Sequence, residues 1–149
     1  MAERSKNIHP FRPEELDRIL DIWLNANLQA HGFIDPAYWT GNLKFVREQL
    51  PQAELWVYET AGTVCGFTGI TGGDYIAGIF VDESYRGHRI GKQLLDHAKQ
   101  LHPLLKLHVY RKNERAARFY LREGFTCAEE QIDTATGEAE LLLAWENKS

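Results

Sequence analysis

The most chemically informative stretch of the sequence is a glycine-containing turn between an apolar run and an amphipathic segment. The run ends at Phe80-Val81, and the turn Arg86-Gly87-His88-Arg89-Ile90-Gly91-Lys92 follows. A helix that begins at such a turn points free backbone N–H groups outward and carries partial positive charge. Arg86, Arg89 and Lys92 add full positive charges. The pattern therefore predicts a site for a phosphorylated ligand.

The spacing of Gly87 and Gly91 has a second interpretation, because glycines also let a helix pack closely against a strand. The turn has neither the Gly-Lys-Ser/Thr of a P-loop nor the Gly-x-Gly-x-x-Gly of a dinucleotide site. Nucleoside triphosphates and NAD are therefore not indicated, which leaves a phosphorylated ligand of another type.

A second motif begins about twenty residues after the turn and reads Asn113-x-x-Ala116-x-x-Phe119-Tyr120-x-x-x-Gly124-Phe125. Together with Tyr85-Arg86-Gly87-His88-Arg89-Ile90-Gly91-Lys92-Gln93-Leu94-Leu95, it resembles the two signatures of the GNAT-type N-acetyltransferases. Two motifs in the family's order are far more specific than either alone. A looser similarity, which includes His31-Gly32-Phe33-Ile34 and Tyr38-Trp39, points to small stand-alone bacterial members.

The resemblance implies acetyl-CoA as the acyl donor. Its pyrophosphate would lie on the turn, held by Arg86, Gly87, His88, Arg89, Ile90, Gly91 and Lys92, with Asn113 as a further cofactor contact. Backbone groups of Phe80 and Val81 would bind the pantetheine arm and polarise the acetyl carbonyl. The usual family turn has glycine where this chain has Arg89, and a helical backbone there would accommodate the arginine without cost.

Tyr120 is the catalytic residue that the resemblance implies, because the family places a tyrosine there against the cofactor sulfur. A phenol with an ordinary pKa of ~10 keeps its proton at neutral pH and can donate it to a thiolate. A purely structural aromatic residue is the alternative for Tyr120. For Asn113 the alternative to cofactor binding is a loop cap.

No residue is an obvious general base, although a lysine amine with a pKa of ~10.4 must lose a proton before it attacks. Desolvation of the amine, water, or a side chain could cause this loss. Among the side chains His31 is the first candidate, and Asp74 and Glu59 are others. His31, Phe33 and Tyr75 are predicted to contact the acceptor. Tyr75 alternates with Ala77, Ile79 and Val81 on one strand face, so it lines the acceptor groove or packs in the core.

The hydrophobic periodicity predicts strands and helices that can hold these residues. In the first half it predicts a strand near Ile8 and Phe11, followed by a helix that begins at Pro13 and has Leu16, Ile19, Leu20 and Trp23 on its inward face. It then predicts a helix from Tyr38 to Leu50, which Pro51 ends, and a hairpin of residues 55–59 and 64–70. In the second half it predicts a strand Tyr75–Val81 buried on both faces, a helix Ile90–Leu101, a strand Leu105–Tyr110, a helix Glu114–Glu123 capped by Gly124, and last strands around Thr136-Gly137 that finish near Leu143.

The fold class expected from the resemblance is α/β (α+β): a mixed, mostly antiparallel sheet flanked by helices, with a splayed central strand pair that holds acetyl-CoA. The length of 149 residues predicts one domain over residues 1–149. Cys65 and Cys127 lack a disulfide or zinc spacing and are expected to be small buried residues. The histidines show no metal-binding pattern, so no metal is expected.

The net charge of -4 comes from interleaved acids and bases, which argues against a nucleic-acid partner. No apolar segment at the N-terminus or elsewhere suits a leader or a membrane span, so a cytoplasmic monomer or homodimer is expected. The predicted function is acetyl transfer to a primary amine, with a protein or peptide lysine or N-terminus favoured over a small amine. The alternatives are a non-catalytic acyl-CoA sensor, which Tyr120 disfavours, and an interaction module, which Arg86, Arg89 and Asn113 disfavour.

Overall fold

The computed structural model describes residues 6–148, which form a seven-stranded sheet with helices on both faces. Residues 1–5 and 149, including most of the N-terminal segment from which the absence of a leader was predicted, lie outside this range. The strands are β1 Ile8–Pro10, β2 Glu54–Thr60, β3 Thr63–Thr71, β4 Tyr75–Val81, β5 Leu104–Tyr110, β6 Thr126–Ile132 and β7 Ala139–Glu146. The α-helices are α1 Leu16–Ala30, α2 Pro36–Gly41, α3 Leu43–Gln49, α4 Ile90–Leu101 and α5 Glu114–Arg122. None of the helices in residues 6–148 has the length and hydropathy needed to cross a membrane.

The sheet opens at its centre. Its strand order is β1-β2-β3-β4-β5-β7-β6, and every described neighbouring pair is antiparallel except β4 and β5. These two parallel strands pair only at Tyr75 and Lys106, after which they diverge. The predicted α/β (α+β) class, with a mostly antiparallel sheet and a splayed central pair, is confirmed.

Hydrophobic residues cover both faces of this sheet. On one face α1 packs Ile19 and Trp23 against a cluster that includes Phe67, while on the other Leu95, Leu107 and Phe125 form the main cluster. The predicted inward face of the first helix is confirmed, although Pro13–Glu15 forms a separate 3-10 turn ahead of α1. Burial on both sides fixes the strands whose central gap forms the site.

The predicted helix from Tyr38 to Leu50 is wrong in its continuity. It is divided into α2 and α3 at Asn42, whose side-chain amide donates to the Tyr38 carbonyl. An asparagine side chain competes in this way for the helix's own backbone groups. The second part of the helix ends at Gln49, just before Pro51 as predicted, and Pro51 lies in the 3-10 turn Leu50–Gln52 that follows.

The prediction that β4 is buried on both faces is also wrong. Ile76 is buried, but Ala77 is exposed, because the neighbouring β5 has diverged. The register shifts at this point: Ile70 of β3 pairs with Ile76, whereas Gly69 pairs with Gly78. Ala77 is therefore an extra residue in β4, which is a β-bulge.

Two further expectations at the end of the chain need correction. Cys127 is exposed, because β6 is an edge strand with every residue exposed, whereas Cys65 is buried as predicted. The turn at Thr136-Gly137 does separate the last two strands, but β7 continues to Glu146, which pairs with Leu104.

Candidate active site

The gap between β4 and β5 is the floor of an open cleft of about 1220 Å³. That volume exceeds the roughly 300–1,000 Å³ of a typical small-molecule site, so the cleft has room for more than one reactant. One end is formed by the glycine turn and the start of α4. The other end is formed by aromatic and polar residues of α2, β4, β5 and β7: Tyr38, Trp39, Tyr75, His108, Tyr110 and Glu140.

The glycine turn has an unusual backbone. Gly87 and Arg89 both adopt left-handed conformations, with φ of 85° and 58°, and Arg89 is the N-cap of α4. No atom lies within 4 Å of a Cβ placed on Gly87, so the space above it is open. A turn of this kind, followed by a helix N-terminus, directs several backbone N–H groups at one point and suits an anion.

Arg89 therefore does not adopt the helical backbone that would accommodate an arginine without cost, and it is left-handed instead. This is the conformation that a glycine would adopt easily, and it costs an L-residue roughly 1–2 kcal/mol. The turn keeps the shape that glycine would give it, while the arginine side chain adds a cation at the edge of the cleft.

We expect Arg89→Gly to keep acetyl-CoA affinity within about tenfold, because the backbone of the turn stays and one exposed cation is lost. Arg89→Val should weaken binding further and lower the melting temperature, since a β-branched residue is strained at this φ. Calorimetric titration and thermal denaturation of the two variants check this. Equal behaviour of both would show that the left-handed turn is unimportant.

Positive charge surrounds this end of the cleft. Arg86 is held by a 2.9 Å hydrogen bond to Gln29, and Lys92 donates to Glu123 at 2.9 Å, which raises the Lys92 pKa. The α5 helix contributes three more cations that the motif search missed: Arg115, Arg118 and Arg122. Their three- and four-residue spacing places them along one helix face, a signal that was present in the sequence.

Not every residue of the turn faces the cleft. Gly87, Arg89, Gly91 and Lys92 line it, as does Ile90, although the Ile90 side chain is 3% exposed and packs in the core. His88 is exposed and does not line the cleft, so its predicted cofactor contact has no support in this geometry.

The backbone of β4 is available at the gap. Phe80 and Val81 line the cleft and pair with Phe67 and Gly66 of β3 on their other side. Toward β5, the residues after Tyr75 have no strand partner in the described part of the chain. Such an unpaired strand edge offers N–H and C=O groups to an extended ligand.

Tyr120 has the surroundings expected of a structural aromatic residue and also a position in the wall of the cleft, as expected of a catalytic one. Its ring packs against Phe119 and Phe125 in the core and is 7% exposed, yet the residue lines the cleft. The hydroxyl makes no hydrogen bond to any residue in the range 6–148. Burial raises the pKa of this phenol well above its ordinary value, so it carries its proton at neutral pH.

The side chains of Asn113 and His31 form a hydrogen bond with each other. Asn113 is the N-cap of α5, where its Oδ1 accepts from the Ala116 N–H at 3.3 Å. This fixes the amide so that Nδ2 faces His31 Nε2, 3.3 Å away. Since an amide NH₂ only donates, we assign a lone pair to His31 Nε2 and the proton to Nδ1. The loop-capping interpretation of Asn113 is therefore supported, with one amide hydrogen left for a ligand.

This pairing makes His31 a poor general base. Its only basic nitrogen is occupied by Asn113, and burial lowers its pKa to about 4, with the Asn27 carbonyl opposing the shift only in part. The imidazole stacks on Trp39 with ring centroids 5.0 Å apart. His31 lines the cleft as an uncharged wall residue.

Phe33 does not line the cleft, in contrast to its predicted acceptor contact. It packs edge-on against His31 and Tyr110, with ring centroids 5.7 and 5.8 Å apart. The Lys112 ammonium lies over its outer face at 5.6 Å. Phe33 supports the wall that the acceptor would touch.

The other two candidate bases are engaged elsewhere. Asp74 forms an ion pair with Lys106 at 3.2 Å, and it does not line the cleft. Glu59 lies on β2, where its Oε1 is 3.1 Å from His9 Nε2 and 3.8 Å from Arg12 Nη1.

His9 Nε2 also lies 3.3 Å from Glu15 Oε2. One ligand atom from each of His9, Glu15 and Glu59 therefore lies within 4.8 Å of the others, a spacing that is compatible with a metal ion. The Arg12 guanidinium already supplies a cation to this group, and the cluster joins β1 to β2 on the far side of β3 from the cleft.

Tyr75 does line the cleft, at the aromatic and polar end. Its face differs from the prediction, because the bulge at Ala77 interrupts the alternation of β4. Tyr75 pairs with Thr71, and Phe80 pairs with Phe67, so these two share a face, whereas Ile79 and Val81 lie on the other. Its hydroxyl is 2.7 Å from His108 Nδ1.

Comparison with known proteins shows which family shares these features. Residues 51–127 match the acetyltransferase (GNAT) domain. The peptidyl-lysine N-acetyltransferase YiaC of Escherichia coli K12 is 36% identical over 132 residues, covering 88% of each protein. The peptidyl-lysine N-acetyltransferase YjaB of Salmonella typhimurium is 36% identical over 120 residues, covering 80% of this chain and 82% of YjaB.

Solved structures agree with this assignment. The apo-form of YjaB from Escherichia coli superposes with a TM-score of 0.82 at 30% identity, covering 94% of this chain and 97% of that one. The PaiA N-acetyltransferase from Thermoplasma acidophilum, solved with coenzyme A, has a TM-score of 0.79 at 18% identity, covering 93% and 97%, and shares the fold. The matched domain, the sequence relatives and the common fold together make this chain an enzyme of the GNAT N-acetyltransferase family.

Proposed function

We propose that the enzyme moves an acetyl group from acetyl-CoA to a primary amine, by direct attack of the amine on the thioester. The observation that carries this is the gap between β4 and β5, which joins a cationic turn at one end to an aromatic and acidic end. Tyr120 packs with Leu107 and Phe125 on one face of the sheet, and Tyr75 lies on the other. Two reactants can therefore meet in the gap from opposite faces.

The cofactor would occupy the cationic end. The turn Arg86–Lys92 would hold the pyrophosphate with backbone N–H groups and with the side chains of Arg86, Arg89 and Lys92. The free β4 edge at Phe80 and Val81 would bind the pantetheine arm and orient the acetyl carbonyl. The remaining amide hydrogen of Asn113 is available to the cofactor. The presence of coenzyme A in the PaiA structure supports this use of the shared fold.

The chemical step forms one bond and breaks another. The amine nitrogen attacks the acetyl carbon, the carbonyl oxygen carries negative charge in the intermediate, and the C–S bond then breaks. The thiolate takes the phenolic proton of Tyr120, and the proton that the product nitrogen gives up restores the phenol. The products are an amide and free coenzyme A, and no metal ion is required.

The acceptor that we favour is a lysine side chain of a protein or peptide. YiaC and YjaB, which are named peptidyl-lysine N-acetyltransferases, support this choice. The half-buried carboxylate of Glu140 at the acceptor end suits an incoming ammonium group. A protein N-terminus or a small amine remains the second candidate from the sequence.

A panel of amines tests the proposal directly. Free thiol is measured after acetyl-CoA is mixed with lysine peptides, peptides that have only a free N-terminus, and small polyamines. We expect the highest rate with the lysine peptides. Acetyl-CoA binding without thiol release from any amine would favour the acyl-CoA sensor instead.

We also propose a cytoplasmic location and a monomer or homodimer without nucleic acid, on the sequence arguments above. Light scattering of the purified protein, with and without added DNA, checks the oligomeric state and the nucleic-acid prediction. A mass that rises when DNA is added would contradict the latter.

A further inference from the structure

The proposed reaction needs a group that removes a proton from the acceptor, since a lysine with a pKa of ~10.4 is almost entirely charged at neutral pH. His31, Asp74 and Glu59 do not meet this need, because their basic atoms are occupied or lie away from the cleft. An inference about this group rests on the proposed function. It concerns the acceptor end of the cleft, which is the end formed by Tyr38, Trp39, Tyr75, His108, Tyr110 and Glu140.

Tyr75 and His108 form a short polar contact at the acceptor end, 2.7 Å between the phenol oxygen and Nδ1. Both residues line the cleft. The Tyr75 oxygen is 2.7 Å from His108 Nδ1, whereas the Gln131 amide nitrogen, which only donates, is 3.4 Å from His108 Nε2. Because the Tyr75 contact is much the shorter and imidazole is a much stronger base than phenol, we assign Tyr75 as the donor and a lone pair to His108 Nδ1. Burial raises the pKa of the Tyr75 phenol, which keeps its proton on the oxygen.

The backbone brings these two side chains together. Tyr75 is the β4 residue that pairs with β5, opposite Lys106, and paired residues of parallel strands share a face. His108 follows Lys106 by two positions, so it lies on that same face. Without the extra residue Ala77, Tyr75 would share a face with Ile79 and Val81, opposite to Phe80. The bulge therefore allows Phe80 to face the core of α1 while Tyr75 faces the acceptor end.

The position of His108 suits a proton outlet. Tyr75 is half-buried, whereas His108 is exposed, so a proton that reaches the imidazole can pass to water. The charged and titratable groups on this face are Lys106 and Tyr110 of β5, Tyr75 of β4, Glu140 and Glu146 of β7 and Glu129 of β6, and Asp133 accepts a hydrogen bond from Tyr110. Glu140 accepts from the Gln131 amide at 2.8 Å, and that amide lies 3.4 Å from His108 Nε2. Lys106 forms an ion pair with Asp74, 3.2 Å between Nζ and Oδ2.

We propose that Tyr75 and His108 are the proton-accepting pair of this enzyme. The acceptor ammonium gives a proton to the Tyr75 oxygen while the phenolic proton of Tyr75 passes to His108 Nδ1. The products of this step are a neutral amine, an unchanged phenol and an imidazolium. The imidazolium releases its Nε2 proton to water, and exchange with water then moves the remaining proton from Nδ1 back to Nε2 before the next turnover. Tyr75 contacts the substrate, and His108 acts through it.

The test compares His108→Gln, Tyr75→Phe and the double variant in thiol release from acetyl-CoA with a lysine peptide. We expect each single variant to lower kcat/KM at pH 7 by on the order of 10²-fold, a usual contribution of general-base catalysis. Because the two residues form one path, the double variant should lose about the same factor and not the product of the two. Acetyl-CoA affinity, measured by calorimetry, should not change.

The pH profile separates a proton path from a structural role. As pH approaches the amine pKa of ~10.4, the acceptor loses its proton in water, so the variants should converge on the wild-type rate. His102→Gln is the matched control, since His102 bonds Glu54 away from the cleft, and it should behave as wild type.

Three results would overturn the inference while leaving the proposed function intact: a wild-type rate in His108→Gln, a loss that is equal at every pH, or losses that multiply in the double variant. A wild-type enzyme that releases no thiol with any amine would overturn both the inference and the proposed function.

Discussion

Replacing Tyr120 with phenylalanine is expected to lower the rate of acetyl transfer by on the order of 10²- to 10⁴-fold, the range for loss of a general acid. Burial raises the pKa of the Tyr120 hydroxyl, so it keeps its proton at neutral pH. Because Tyr120 lines the cleft, this proton is available to a thiolate that leaves there. Because the ring contacts with Phe119 and Phe125 remain, folding and acetyl-CoA affinity should change little.

The control for this experiment is Tyr58→Phe. Tyr58 is also 7% exposed, but it lies on β2 and accepts from Asn7, outside the cleft. Both variants should melt near the wild-type temperature, and only Tyr120→Phe should lose turnover in a thiol-release assay. Full activity in Tyr120→Phe would remove the proton-donor assignment and leave the rest of the mechanism standing.

Replacing Gly87 with valine is expected to weaken acetyl-CoA binding by on the order of 10²-fold, because several phosphate contacts of a preformed turn would be lost. Gly87 has a φ of 85°, which a β-branched residue adopts only with strain. The turn would have to rearrange, and the new side chain would enter the open space where the phosphate is proposed to lie.

Gly137→Val is the matched control for backbone strain. Gly137 has a φ of 76°, also has open space around it, and lies in the turn between β6 and β7. Both valine variants should lose stability by about 1–3 kcal/mol. Calorimetric titration should show weakened acetyl-CoA binding only for Gly87→Val, and equal affinities in the two variants would contradict the proposed phosphate site.

Much of this molecule is predictable because local patterns determine it. The spacing of Ile19, Leu20 and Trp23 indicates the buried face of α1 before any partner is known. The second motif likewise predicts Tyr120 on α5 and a glycine just after the helix, although α5 ends at Arg122 and its C-cap is Glu123, so that the left-handed Gly124 lies one residue beyond the cap position predicted for it. These features depend on residues within a few turns of one another.

Features that depend on distant partners escaped prediction. The bulge at Ala77 appears only when the pairing with β3 is known, and the exposure of Cys127 follows from β6 being an edge strand. The left-handed Arg89 contradicts the ordinary preference of an arginine, because the turn requires the conformation that glycine prefers.

The chemistry of His31 also depends on a residue that is distant in the sequence. The sequence predicts His31 as an acceptor contact and a candidate base, and the residue lines the cleft, but its basicity depends on Asn113, which is far away along the chain. The contact between Tyr75 and His108 could not be predicted either, because it requires the pairing of β4 with β5 and the bulge before Gly78.

The central claim is that this enzyme transfers an acetyl group from acetyl-CoA to a lysine amine. Its most direct test is mass spectrometry of a peptide that has a blocked N-terminus and one lysine, incubated with the enzyme and acetyl-CoA. We predict one added acetyl group on the lysine, one free thiol released for each, and neither product with Tyr120→Phe at equal enzyme concentration. An unmodified peptide, together with intact acetyl-CoA bound to the wild-type protein, would contradict the claim.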